Sequence, residues 1–279
     1  MSSLILVATP IGNMGDLSER ARTALSNADL VCCEDTRRTG LMLHNLGIDA
    51  TLMRVDEHAE HDAIPRVLDA LREGRTVCLV SDAGTPGISD PGSRLVSAAI
   101  DSGFTVSAVP GPAALVMALV ISGLPTERFV FEGFLERRGK ERHAQIEFVA
   151  RHPYTVVLYE APHRLLRTLE DLVSLCGRDR RVAICRELTK LHEEVWRGAL
   201  GDAVEHFTAN EPKGEFVIVL AGAPPSGPAS PEIIDTRITE LLDDGVRTKD
   251  IAKQVADEFD LVVKDVYARV LEIAQNRPE

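Results

Sequence analysis

Residues 81–92 read Ser-Asp-Ala-Gly-Thr-Pro-Gly-Ile-Ser-Asp-Pro-Gly, a stretch holding three glycines, two prolines and two aspartates. Glycines let a backbone approach a ligand closely, and prolines fix a loop's shape in advance. Asp82 and Asp90 can accept hydrogen bonds from an amino group or from ribose hydroxyls. The alternative is a plain crossover whose aspartates cap the following helix. Two other breaker-rich stretches, Thr9-Pro10-Ile11-Gly12-Asn13 and Pro110-Gly111-Pro112, follow apolar runs, and Lys213-Gly214-Glu215 precedes another. Singly each is an ordinary turn; together they predict a ligand cleft framed by backbone. The chain has neither a GxGxxG fingerprint nor a GxxxxGK[ST] loop, which disfavours ordinary dinucleotide and P-loop sites.

Titratable residues gather in three more places. Tyr159-Glu160-Ala161-Pro162-His163-Arg164 joins a carboxylate, an imidazole and a guanidinium at a strand end, a set suited to acid–base work or to handling RNA. Arg186-Glu187-Leu188-Thr189-Lys190 is a second such cluster, and Glu34, Asp35, Arg37 and Arg38 form a third. Structural ion pairs are the competing explanation for all three.

The elements that must position these residues follow from periodicity. Short apolar runs at 4–8, 30–33, 76–80 and 105–109 read as buried strands, and 17–28, 64–73 and 93–102 as helices. An Ala-rich helix opens at Pro110-Gly111-Pro112. Strands alternating with helices at this pace imply parallel β-α-β units. The second half changes character: strands are expected at 129–135, 155–159, 182–186, 194–198 and 216–221, some alternating like half-exposed antiparallel strands. The expected divisions are an α/β domain at 1–123, a second at 124–222, a linker at 223–231 and a helical tail at 232–279, helical throughout to 274.

Composition narrows the function classes. Apolar residues make up 44% and charged residues 27% of 279 residues, a globular balance. No apolar run approaches the roughly 18 residues of a membrane span, and no leader is read at the amino terminus. Five scattered cysteines without a CxxC pair predict reduced thiols, a cytoplasmic protein and no metal site. The net charge of −12 argues against a nonspecific nucleic-acid binder. Residues 137–197 nevertheless carry 13 Lys+Arg against 9 Asp+Glu, enough for a local grip on a polyanion. An ordinary solvated surface is the other explanation.

In order, the segments ATPIGN, CCEDTRRTG, SDAGTPGISDPG, VPGPAA, YEAPHR, RELTK and KGEFVIVL resemble those of the small-subunit ribosomal RNA methyltransferase I family across residues 4–222. The tail is similar to that family's extra carboxyl-terminal domain. The resemblance implies an α/β, two-domain, tetrapyrrole-methylase-like (class III methyltransferase) fold plus a small C-terminal helical domain. It implies an S-adenosyl-L-methionine-dependent enzyme that methylates the 2′-hydroxyl of a cytidine in 16S rRNA. The expected partner is 16S rRNA within a 30S subunit or late precursor, and the expected state is a homodimer without membrane or metal. Carried over by position, the cofactor side is Thr9, Pro10, Asp82, Ala83, Gly84, Ser89, Asp90, Pro110, Gly111, Pro112 and Ala113. The substrate side is Arg37, Arg38, Arg164 and Arg186, with Glu160, His163, Glu187 and Lys213 as catalytic candidates.

Glu160 is the first expectation for the proton acceptor and His163 the second. Two rivals stay open: a tetrapyrrole C-methyltransferase, and a non-enzymatic nucleic-acid-binding regulator using residues 248–271 with helix-turn-helix spacing. Residues 230–279 carry 7 Lys+Arg and 12 Asp+Glu, which suits DNA poorly.

Overall fold

The apolar run at the amino terminus forms β1 (Ser3–Val7), an interior strand of a five-stranded parallel sheet. Its partners are β2 (Leu30–Cys33), β3 (Leu52–Arg54), β4 (Thr76–Leu79) and β5 (Thr105–Val109), in the order β3-β2-β4-β1-β5. The computed structural model describes residues 2–56, 59–224, 231–259 and 261–275. They fall into two compact units, Met1–Gly222 and Ala223–Glu279. The boundary expected at 123–124 lies inside the first unit, and most of the linker expected at 223–231 lies outside the described residues.

Helices α1 (Glu19–Ser26) and α2 (Thr36–Asn45) cover one face of this sheet, α3 (Glu60–Arg72) and α4 (Ser93–Asp101) the other. Alternate strand residues feed the two cores: Leu4 packs with Val67 and Leu95, whereas Val7 packs with Ala21 and Leu25. Ser18 caps α1 by accepting from the Ala21 N–H, and Asp35 caps α2 by accepting from the Arg37 N–H. The strand order fixes where a ligand belongs. β1 and β4 are neighbours, yet the chain leaves β1 toward β2 and leaves β4 toward β5 on the opposite side. Such a switch point opens a crevice at the carboxyl ends of the two strands, where loops 8–13 and 80–92 lie.

The second sheet is mixed. Its strands are β6 (Phe129–Phe134), β7 (Thr155–Glu160), β8 (Arg181–Arg186), β9 (Glu194–Ala199) and β10 (Phe216–Leu220), ordered β6-β7-β10-β8-β9. β6 and β7 are parallel and the other pairs antiparallel. The central strands β7, β10 and β8 are covered on both faces, and the edge strands β6 and β9 are the half-exposed ones. α6 (Lys140–Arg151), α7 (Pro162–Cys176) and α8 (Leu200–Ala209) bury Val156, Leu158, Ile184 and Ile218 from one side. The Ala-rich helix α5 (Ala114–Ser122) packs Leu115, Ala118 and Leu119 on Val157, Ala183 and Val217 from the other. Continuous apolar runs such as Phe216–Leu220, buried at every residue, are the sequence trace of that double cover.

The tail is three helices and not one continuous stretch: α9 (Pro231–Asp243), α10 (Thr248–Phe259) and α11 (Val263–Gln275). Gly245, at φ 73°, takes the left-handed turn that ends α9. Ile238, Leu241, Ile251, Val255, Val266 and Val270 form a core of their own.

Candidate active site

The switch-point loops are tied to each other by backbone. Thr9 and Gly84 form a bridge, with Thr9 N–H donating to Gly84 O at 2.9 Å and Gly84 N–H returning to Thr9 O at 3.0 Å. The Thr9 hydroxyl donates to Ser81 O, and the Thr85 hydroxyl to Pro112 O. Gly84 sits at φ 82°, where an added Cβ would meet Ile11 Cγ2 at 3.3 Å. A Cβ on Gly111 would lie 2.9 Å from Ala8 Cβ. Three expected breaker loops therefore meet at one point.

They enclose a cavity of about 300 Å³, within the usual range of small-molecule sites. One wall is Ile11, Ala83, Gly84, Thr85, Ile88, Ser89, Asp90, Ala113 and Ala114. The opposite wall comes from the second sheet: Phe134, Tyr159, Glu160, Ala161, Pro162, Glu215, Phe216 and Val217. Phe131 and Phe134 pack edge-on against Tyr159, and the Tyr159 hydroxyl accepts from the Leu115 N–H at the start of α5. The lining is apolar apart from few groups, of which half-buried Asp90 is the chief. Burial, and secondarily the nearby Asp82, push the Asp90 carboxyl above its ordinary range, while the Ser81 hydroxyl partly offsets them. A carboxylate in such a wall with no ion pair among the described residues favours a cationic guest.

Non-glycine residues with positive φ mark the same region. Among the described residues they are Ser89 (57°), Glu187 (49°) and Thr189 (66°). Left-handed backbone of this kind persists only where surroundings impose it, and it gathers at binding sites. The 187–190 turn abuts the first loop: a Cβ on Gly12 would collide with Lys190 Cγ. Lys190 Nζ bridges Glu187 Oε1 at 2.8 Å and Glu215 Oε2 at 2.9 Å, and Glu187 Oε1 also accepts from the Glu215 N–H. Desolvation opposes charge on both Glu187 and Lys190, yet their mutual pairing wins and keeps both ionised more firmly than usual.

The expected site residues divide by position. Ala83, Gly84, Ser89, Asp90, Ala113 and Glu160 line the cavity. Thr9, Pro110, Gly111 and Pro112 stand behind the lining in the loops that shape it, and Pro10 adjoins Ile11. Asp82 faces away: its carboxylate accepts from the Asp35 N–H and from Arg38, both at 3.1 Å. Arg37 is exposed and pairs with Asp35. Arg164 is committed internally, donating to Leu135 O and Glu136 O and pairing with Glu160 at 3.3 Å. Arg186 donates to Lys213 O at 2.6 Å, and Lys213 pairs with Glu211 at the surface. His163 is exposed on the first turn of α7, beside Pro162.

Glu160, the first expectation for the proton acceptor, is enclosed. It is 2% exposed, Oε1 accepts from the Ala161 N–H at 2.9 Å, and Oε2 accepts from the Thr168 hydroxyl at 2.6 Å. With Arg164 alongside, both oxygens are engaged in fixing the start of α7. Tyr159 and Glu215 stand in segments the sequence singles out, the 159–164 cluster and the 213–215 turn, though neither is among its named site residues; Phe134 was missed, and its one signal is its place at the end of β6.

Fold and cleft together define the class. Residues 3–204 match the family of Tetrapyrrole (Corrin/Porphyrin) Methylases. The fold is similar to that of the methyltransferase CobJ, with a TM-score of 0.60 and 20% identity over 80% of this chain and 94% of that one. It is also similar to uroporphyrin-III C-methyl transferase from Thermus thermophilus complexed with S-adenyl homocysteine, with a TM-score of 0.54 and 18% identity over 78% of this chain and 97% of that one. The sequence relatives are nearer. Ribosomal RNA small subunit methyltransferase I of Synechocystis sp. is 44% identical over 275 residues, 98% of this chain and 99% of the relative. The same-named protein of Thermotoga maritima is 44% identical over 222 residues, 80% of this chain and 99% of the relative. The chain belongs to the ribosomal RNA small subunit methyltransferase I family within the tetrapyrrole methylases.

Proposed function

We propose that the protein transfers the methyl group of S-adenosylmethionine to the 2′-hydroxyl of a cytidine in small-subunit ribosomal RNA. The observation that carries the cofactor half is the cavity at the β1/β4 switch point, apolar on both walls, with half-buried Asp90 aimed at a cationic guest. Gly84 and the left-handed Ser89 bring backbone to its edge, as close cradling of a nucleoside requires. The residues holding the cofactor would be Ala83, Gly84, Ser89, Asp90 and Ala113, with Tyr159 and Phe134 opposite. The sulfonium supplies an activated methyl group and a good leaving group. What the protein must add is alignment, exclusion of water and a proton acceptor for a weakly nucleophilic ribose hydroxyl.

Of the four catalytic candidates, His163 alone has a side chain with no hydrogen-bond or ion-pair partner among the described residues. Glu160 is enclosed, Glu187 is held by Lys190, and Lys213 pairs with Glu211. We take His163 as proton acceptor, its imidazole offering a free ring nitrogen, with Glu160 and Arg164 positioning its helix turn. Exposed Arg37 and Arg38 would meet phosphates, which orient RNA without reading sequence. The same reading takes a 30S subunit or late precursor in the cytoplasm as substrate, and a homodimer as the working form. Support for the dimer is an apolar face on α5, where Val116, Met117, Val120 and Ile121 stay exposed. No described helix is long and apolar enough to cross a membrane.

The test is to incubate the protein and tritiated S-adenosylmethionine with 30S particles, deproteinised rRNA and a tetrapyrrole precursor separately. Label is expected in the RNA of the particles, mapping to a 2′-O-methylcytidine. Label on the macrocycle alone would overturn the assignment.

A further inference from the structure

A second cavity, of about 490 Å³, opens beside the first and is lined by Glu34, Asp35, Arg37, Arg54, Asp56 and Asp82, together with Thr36. The two share the loop after β4: Ala83 faces the first cavity and its neighbour Asp82 the second. A guest in the second therefore lies one peptide away from the cavity assigned to the methyl donor. Charged side chains here are mostly committed. Arg37 pairs with Asp35, Arg38 with Asp82 and Arg54 with Asp56, while Asp56 also accepts from the Ala59 N–H. Glu34 is the exception. It stands at the carboxyl end of β2, half-buried, and makes no hydrogen bond or ion pair among the described residues. Burial, reinforced by Asp82, Asp90 and Asp56 and only partly offset by Arg38, pushes its carboxyl above the ordinary range. A half-buried carboxylate without a donor is costly, and a ligand N–H relieves that cost.

We propose that this second cavity receives the base of the target nucleotide and that Glu34 reads it by accepting a hydrogen bond from the exocyclic amino group of cytosine. Acidic side chains accept from that amino group, whereas uracil presents a carbonyl oxygen at the same position and would face the carboxylate acceptor to acceptor. Arg37 and Arg54 at the mouth, both largely exposed, are placed for the flanking phosphates. This rests on the protein being a cytidine 2′-O-methyltransferase, and it adds which residue makes the cytidine choice.

Glu34→Gln keeps shape but has an amide that can turn to donate to uracil or accept from cytosine. Glu34→Ala removes the reading group altogether. The experiment measures kcat/KM on 30S particles assembled with cytidine or with uridine at the methylated position. The wild-type protein is expected to prefer cytidine by roughly tenfold or more. Both variants are expected to bring the ratio near one, Glu34→Gln by raising the uridine rate. S-adenosylmethionine affinity, followed by calorimetry, is expected to stay within about twofold, since Glu34 does not line the first cavity. An unchanged ratio in the variants, equal losses on both substrates, or a wild-type protein indifferent to the base would overturn the assignment. So would loss of cofactor binding in both variants, which would make Glu34 part of the first site. A wild-type protein that methylates neither RNA would instead sink the function proposed above, and this pocket with it.

Discussion

Replacing Asp90 with asparagine is expected to weaken S-adenosylmethionine binding by about ten- to a hundredfold, the range of a lost charged contact in a partly dry site. The same change should leave the ligand-free protein at least as stable. Asp90 is held in a cavity wall whose burial, with help from Asp82, raises its pKa. A carboxyl whose pKa is higher folded than unfolded favours folding most when protonated. That contribution is complete below the ordinary carboxylate range and is lost as pH rises through the folded pKa. At neutral pH the wild-type protein therefore bears the cost of an ionised Asp90, which asparagine removes, raising the ligand-free melting temperature by up to about 2 °C. Binding runs the other way. A cationic guest needs the ionised form, so affinity should fall as pH drops through the raised pKa, beginning at a higher pH than for an exposed aspartate. The variant's affinity should be weak and nearly flat with pH. Calorimetric titrations at several pH values check both limbs, and equal affinity in the two proteins would remove Asp90 from the site.

The second large effect separates Glu160 from His163. Glu160→Gln keeps an oxygen for the Ala161 N–H and an amide for the Thr168 hydroxyl, but it weakens the tie to Arg164. A lower melting temperature is expected, because Arg164 is left next to a neutral partner. The single-turnover rate should drop less than about tenfold, with its pH profile unshifted. His163→Ala should cost about a hundredfold or more in the same assay, as removal of a general base does. A loss of about a hundredfold in Glu160→Gln, with its fold intact and its pH profile changed, would return the proton-accepting role to the carboxylate.

Much of the first sheet was legible. Its central strands β2 and β4 are short apolar runs buried almost throughout, and the loops that frame the cavity are the glycine- and proline-rich breakers. α2 was not read as a helix because Arg37, Arg38 and Gly40 interrupt any apolar stripe. What holds it is the Asp35 cap and the burial of Thr39 and Leu43. β3 is three residues long with no fully buried position, too little pattern to register. In the second half, α7 hid behind a motif that read as chemistry: the residues of Tyr159-Glu160-Ala161-Pro162-His163-Arg164 make a strand end and a helix start.

The site was legible in its backbone and less so in its side chains. Glycine and proline announce a shaped loop locally. Whether a charged side chain faces a cavity or a neighbour depends on contacts far along the chain. Asp82 and Asp90 look equivalent in sequence, yet one meets Arg38 and the other lines the cavity. Arg164 and Arg186 look like phosphate ligands, but each donates to backbone carbonyls about 30 residues away or fewer. Lys190 pairs with nearby Glu187 but also with Glu215, 25 positions on.

The most direct measurement is a crystal structure of the protein with S-adenosylhomocysteine. The ligand should lie between loop 83–90 and Tyr159, with its amino or sulfur end toward Asp90 and backbone contacts at Ala83 and Gly84. A ligand bound elsewhere, with Ile88 and Phe134 closed across an empty cavity, would contradict the account.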